Sequence, residues 1–189
     1  MKKIILTLSA LLCVFSLNAQ SGETILSNIE KACGKGVNVS GRFSEVRKSA
    51  DKAAAPVILA GKLAFKGTDN LEMIYDNGNK FLIEGKVMTI VNDGVKQTFD
   101  LTKNLMMKGL SQVLICSFTG QLPTLAAEQN AIIMASKEAK DYVVTLKAQK
   151  KAVRGFNRVI VHYDATTCKI KSMMLEEFSG AITSYDWAK

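Results

Sequence analysis

The chain is poor in the residue types from which catalytic centres are built. It carries one histidine, His162, one tryptophan and two prolines in 189 residues. No HExxH, GxSxG, P-loop or GxGxxG pattern occurs, which removes the common zinc hydrolase, serine hydrolase and nucleotide-binding chemistries. Acidic neighbours such as Glu176-Glu177 point to opposite faces of a strand and cannot work on one substrate atom. Cys116 and His162 carry no flanking signature of a nucleophile–base pair. We therefore expect no catalytic residue, no metal, no cofactor and no enzyme activity. Interleaved aromatic and basic residues are also missing, so nucleic acid is not an expected partner despite a net charge of +8.

Long apolar runs are scarce as well. The one present is Ile4 to Leu17, broken by Thr7, Ser9 and Ser16, preceded by Lys2-Lys3 and followed by Leu17-Asn18-Ala19. It is shorter than the roughly 20 residues of a membrane span and has the three-part pattern of an export signal. Residues 1–19 are thus expected to be a cleaved signal peptide, placing a soluble product in the periplasm. Cys13 lies inside the run and follows Leu12, so a lipid anchor there is not expected. Residues 20–189 suffice for one domain with a sizeable core. Without Lys2 and Lys3 its charge falls from +8 to +6, a balance that favours anionic surfaces.

Cysteine is sparse too. Cys33, Cys116 and Cys168 remain after processing, an odd number that allows at most one internal disulfide. Cys33–Cys168 is the pair to test first, because both fall at element ends. Three unpaired buried thiols are the alternative.

What is present is periodicity. Glu23 to Ala32 places Ile25, Leu26 and Ile29 on one helical stripe, with Ser21 as cap and Gly34 and Gly36 as terminators. Period two follows in Val37 to Ser44, then in Val57 to Lys66. Arg47 to Ala55 reads as a hairpin loop. Residues 71–75, 80–83, 87–91 and 95–101 are further strands, separated by turn signals at Asp76-Asn77-Gly78, Glu84-Gly85-Lys86 and Asn92-Asp93-Gly94. Leu105, Met106, Leu110, Val113, Leu114 and Phe118 recur at helical spacing, bounded by Gly120 and Pro123, and 122–129 forms a short second helix. Strands return at 131–136, 142–147, 154–163, 169–178 and 181–187. The expected fold is α+β, a strongly curved antiparallel sheet of about eleven strands, an incomplete barrel, with an N-terminal helix and one or two lid helices.

Several strands are apolar on both faces. Ile58, Ala60 and Ala64 accompany the main stripe of 57–65, and Leu82, Met88 and Ile90 are read as opposing Phe81, Ile83, Val87 and Val91. Seven methionines beyond residue 19 add adaptable surface. A sheet greasy on both sides suggests a hollow for an apolar ligand. Lys147, Lys150, Lys151, Arg154 and Arg158 form a basic stretch, read as a solvated hairpin or as a dock for anionic lipid or a partner.

Gly41-Arg42-Phe43-Ser44-Glu45 and Gly61-Lys62-Leu63-Ala64-Phe65-Lys66-Gly67-Thr68-Asp69-Asn70-Leu71-Glu72-Met73-Ile74-Tyr75 resemble the outer-membrane lipoprotein carrier family (LolA type). So do Phe81 to Lys86, Ile90 to Gly94 and the helix from Leu105 to Phe118. The chain departs from the family in having Gly67 or Thr68 where Pro is usual and Glu72-Met73 where Arg-Trp is common. Gly67 also stands where one branch has the basic residue that latches its lid. The resemblance implies a monomeric carrier that takes acyl chains of lipoproteins from an inner-membrane release complex and passes them to an outer-membrane acceptor. A periplasmic glycolipid- or fatty-acid-binding or sensor protein on the same fold is the alternative. Under either reading Phe43, Leu63, Phe65, Leu71, Met73, Phe81 and Ile83 are expected to line the cavity wall, with Met106, Leu110 and Leu114 on the lid.

Overall fold

A computed structural model of the chain describes residues 21–34, 37–150 and 155–188. The expected signal peptide, Gly36, Lys151 and Arg154 lie outside the described residues. Helix α1, Gly22–Cys33, starts where Ser21 Oγ accepts the Thr24 amide at 3.2 Å, satisfying a donor that the first turn leaves free. Its buried residues, Ile25, Ile29 and Cys33, recur every four positions. Six strands follow: β1 (Val39–Lys48), β2 (Val57–Lys66), β3 (Asn70–Tyr75), β4 (Lys80–Glu84), β5 (Val87–Asn92) and β6 (Val95–Asp100). Two helices interrupt, α2 (Leu105–Thr119) and α3 (Leu122–Glu128). Five strands complete the chain: β7 (Ala131–Glu138), β8 (Asp141–Ala148), β9 (Phe156–Asp164), β10 (Ile170–Glu177) and β11 (Ile182–Ala188). This is the expected order of elements.

All eleven strands join one antiparallel sheet in the order β6-β5-β4-β3-β2-β1-β11-β10-β9-β8-β7. The first and last strands therefore pair in its middle, with Phe43 opposite Trp187. The free edges are β6 and β7, the two strands that flank the helices in sequence. The sheet curves without closing, and α2 and α3 connect its two edge strands in sequence. Helices α1 and α3 pack on β7, sheltering that edge.

The concave face holds the core. Phe43, Leu63, Phe65, Leu71, Met73, Ile83 and Met88 from one wing meet Val144, Leu146, Val159, Val161, Tyr163, Met173 and Leu175 from the other. Val113, Leu114 and Phe118 of α2 fill the space between them. One expectation about faces is corrected here. Met88 pairs with Ile83, and Ile90 with Phe81, so these four share the concave face and do not oppose one another. The two-residue turn at Gly85-Lys86 sets that register, which a strand-by-strand count of alternation cannot see.

Gly61 fits the crowded centre because it has no side chain. A Cβ there would stand 2.2 Å from the Ile74 carbonyl oxygen and 2.8 Å from the Phe43 ring. The missing methyl lets Phe43 lie edge-on to Tyr75, with centroids 5.1 Å apart. Gly61→Ala should cost about 3 kcal/mol by overpacking, read as a fall of roughly 10 °C in the thermal midpoint. An unchanged midpoint would show that the neighbouring strand yields freely.

Candidate functional site

The concave face divides into a filled part and an open part. The filled part centres on Phe118. Its ring stacks on Phe65 of β2, with centroids 4.9 Å apart, and meets Trp187 of β11 edge-on at 5.3 Å. Tyr163 of β9 donates from its hydroxyl to the Ser117 carbonyl at 2.7 Å, a second tie between sheet and helix. Ser117 itself is fully buried and donates back to the Val113 carbonyl at 2.7 Å, so its hydroxyl costs little in the core. The Nε1–H of Trp187 is buried and has no hydrogen-bond partner among the described residues.

A charged cluster sits on the same face. Glu45 is completely buried on β1. One carboxylate oxygen accepts from the Tyr75 hydroxyl at 2.6 Å and the other from Arg47 Nε at 2.5 Å. Tyr185, opposite Glu45 on β11, faces the same carboxylate. Arg47 keeps half of its side chain in solvent, so the buried carboxylate has a counter-ion that remains hydrated.

The open part is a cleft of about 930 Å³ between the start of α2 and the ends of β7 to β10. Leu105, Met106, Met107 and Leu110 form one side. Leu146, Phe156, Val159 and Phe178 form the other, and Ala131 of β7 closes the back. Lys150, Arg158, Asn157 and Glu177 give it a polar rim. Arg158 is held by Glu176, with Nη2 at 2.6 Å from the carboxylate. Asn104 caps α2 by accepting the Met107 amide at 3.1 Å, so the first turn is fixed in place over the cleft. Its Leu105 is 79% exposed and Met106 55%, high values for such large apolar side chains. The volume is in the upper range of small-molecule sites.

The residues expected to line a cavity fall into two groups. Phe43, Leu63, Phe65, Leu71, Met73 and Ile83 are buried under α2, with Phe81 half-buried beside them, and Leu114 packs on them from the helix. In this arrangement they touch each other. Met106 and Leu110 do line the cleft. The far wall, Leu146, Phe156, Val159 and Phe178, escaped the sequence reading. The available signal was the pair of aromatics beside turn glycines, Gly155-Phe156 and Phe178-Ser179-Gly180.

The sequence candidates for chemistry are kept apart. His162 lies on the convex face with its Nδ1 3.9 Å from Asp141, which also binds Lys171 at 2.6 Å. Cys116 is on α2, on the concave side, so the sheet separates the two. Among the described residues no group of three or more His, Cys, Asp or Glu side chains could hold a metal ion, and no helix is long and apolar enough to cross a membrane.

The class these elements define is an open, curved antiparallel sheet with a helix laid along its hollow. No family model matches the chain, and no curated protein matches it. Among solved structures it is similar to a LolA superfamily protein from Nitrosomonas europaea, with a TM-score of 0.41 and 12% identity over 90% of this chain and 93% of that one. It is also similar to a putative outer membrane lipoprotein-sorting protein domain from Vibrio parahaemolyticus, with a TM-score of 0.44 and 11% identity over 87% of this chain and 89% of that one. A third similar structure is the Mycobacterium tuberculosis lipoprotein LppX, with a TM-score of 0.40 and 10% identity over 89% of this chain and 96% of that one.

Tyr75, Tyr163 and Tyr185 all hold their hydroxyl protons more tightly than an ordinary phenol, first because burial disfavours the phenolate. For Tyr75 and Tyr185 the Glu45 charge adds to this. A raised folded-state value means the contribution to stability is complete below about pH 10 and lost as pH climbs beyond it. In an alkaline titration these three should ionise only with unfolding, so their tyrosinate absorbance and the loss of near-ultraviolet dichroism should coincide. Ionisation of all three before any loss of dichroism would contradict this.

Proposed function

We propose that the chain is a periplasmic carrier, residues 20–189, which holds the acyl chains of lipoproteins and shuttles them from the inner to the outer membrane. The observation that carries this reading is the cleft of about 930 Å³, apolar on both walls, in which α2 offers exposed Leu105 and Met106. An acyl chain laid there would cover the surface that water now wets. Each buried CH₂ contributes about 0.8 kcal/mol, so a chain of some sixteen carbons has roughly 12 kcal/mol to draw upon.

The buried wall enters through movement of α2. Phe43, Leu63, Phe65, Leu71, Met73, Phe81 and Ile83 would meet the ligand once Leu114 and Phe118 withdraw. Unstacking those side chains opposes loading and lowers the net affinity, which favours release at the acceptor. The Trp187 N–H, without a hydrogen-bond partner among the described residues, lies under the same helix. A buried donor without a partner costs about 1–3 kcal/mol, and an ester or amide carbonyl of the ligand would satisfy it. Lys150 and Arg158 at the rim suit an anionic membrane surface or a partner protein, in keeping with an inner-membrane release complex and an outer-membrane acceptor.

Protein purified from the periplasm, extracted and analysed by mass spectrometry, should yield acylated lipoprotein. Free fatty acid or glycolipid in its place would support the binding or sensor alternative, and protein devoid of lipid in every preparation would overturn both. Met106 is more than half exposed, so Met106→Glu should leave the thermal midpoint within a few degrees. It should lower loading of a diacylated peptide about tenfold, because a charge enters the apolar wall. Undiminished loading would move the ligand out of the cleft.

A further inference from the structure

Cys33 closes α1 and Cys168 sits in the turn between β9 and β10, 135 residues further on. Both are buried, at 7% and 8% exposure. The Cys33 thiol donates to the Cys168 carbonyl oxygen at 3.4 Å, so its sulfur already touches the residue that would be its partner. The receiving turn is firmly built. Asp164 accepts the Thr166 and Thr167 amides at 3.1 and 2.8 Å. Its own amide and carbonyl bind Lys169 and Cys168 at 2.9 and 2.8 Å. This holds Cys168 in the left-handed region at φ 54°, a conformation that a residue with a side chain adopts at some cost.

We propose that Cys33 and Cys168 form a disulfide that staples α1 to the β9–β10 turn. A disulfide-donating thiol oxidoreductase of the export compartment is the oxidant. Cys168, the sulfur at the turn, attacks its disulfide as a thiolate, and Cys33 then displaces the mixed disulfide. One S–S bond forms in the chain, the donor's S–S bond breaks, and the two thiol protons and two electrons pass to the oxidoreductase, which ends as a dithiol. Burial pushes both thiols up, Cys33 to about 11 with the Cys168 charge adding to it, and Cys168 with the Asp164 charge adding to it, so each must lose its proton as it reacts.

The staple has a structural consequence. Gly120, the corner between α2 and α3, lies against α1 so closely that a Cβ would stand 3.0 Å from the Ile29 carbonyl oxygen. Helix α1 is thus the platform on which that corner rests, and the disulfide would fix the platform while leaving α2 uncrosslinked. Cys116, on α2, is the thiol left over, which keeps the moving helix free. The proposal holds whether or not the cleft carries lipid.

The test is a peptide map of the exported protein, alkylated without reductant and cut with trypsin. Residues 32–35 should appear joined to 159–169, while Cys116 should be alkylated in 109–137. Reductant should separate the pair and lower the thermal midpoint by about 10 °C, as expected for opening so long a loop. Cys116→Ser should keep that reductant-dependent shift and Cys33→Ser should abolish it. Three separately alkylated cysteines, or Cys33 joined to Cys116, would overturn the proposal.

Discussion

The structure depends on one contact, that of the C-terminal half of α2 with the hollow of the sheet. An antiparallel meander whose edge strands do not meet cannot fill its own interior as a closed barrel does. Phe118 supplies what closure would have supplied. It stands between Phe65 on one wing and Trp187 at the central join. Burying a phenylalanine contributes about 1.5–3 kcal/mol, and two aromatic pairs add roughly 0.5–1.5 kcal/mol each. The Tyr163–Ser117 hydrogen bond holds the helix against the third side of this space. The curvature of the sheet and the position of α2 are therefore one solution to one packing problem.

Most of the fold was legible because its signals are local. Alternation identified the strands, and Asp76-Asn77-Gly78, Glu84-Gly85-Lys86 and Asn92-Asp93-Gly94 all became tight connections between them. Helical spacing over Leu105 to Phe118, with Gly120 and Pro123 beyond, gave α2 and α3 nearly to the residue. The join of β1 with β11 was not legible. It unites Phe43 with Trp187 across almost the whole chain, and no local pattern encodes a pairing of that separation. The site was readable on its helical side, at Met106 and Leu110, and hidden on its strand side. Phe156 and Phe178 come together only because the register of β9 and β10 shifts where Glu177 meets Phe156.

The two-sided greasiness of the strands has an explanation the sequence alone did not supply. The second apolar face is convex. There Ile58, Val46, Ser184, Met174, Ile160, Thr145 and Met134 follow one another across seven strands in register. Ile58 is 70% exposed and Met134 54%. The alternation of Ile58 with Leu59, or of Met173 with Met174, thus marks an outer stripe and an inner core. A hollow of about 930 Å³ lies at the start of α2.

On the proposed reading, that location makes α2 the element shared by stability and ligand access. Its fifteen residues span about 22 Å, long enough for one end to plug the sheet while the other roofs the cleft. A guest entering beneath Leu105 and Met106 would meet Leu110 next and then Leu114, so deeper loading must compete with the contacts that hold the core together. Such competition sets an upper bound on affinity without any dedicated latch. The stacking of Phe118 between Phe65 and Trp187 can itself hold the helix closed. A chain built this way would trade part of its own packing energy for cargo and recover that energy on release.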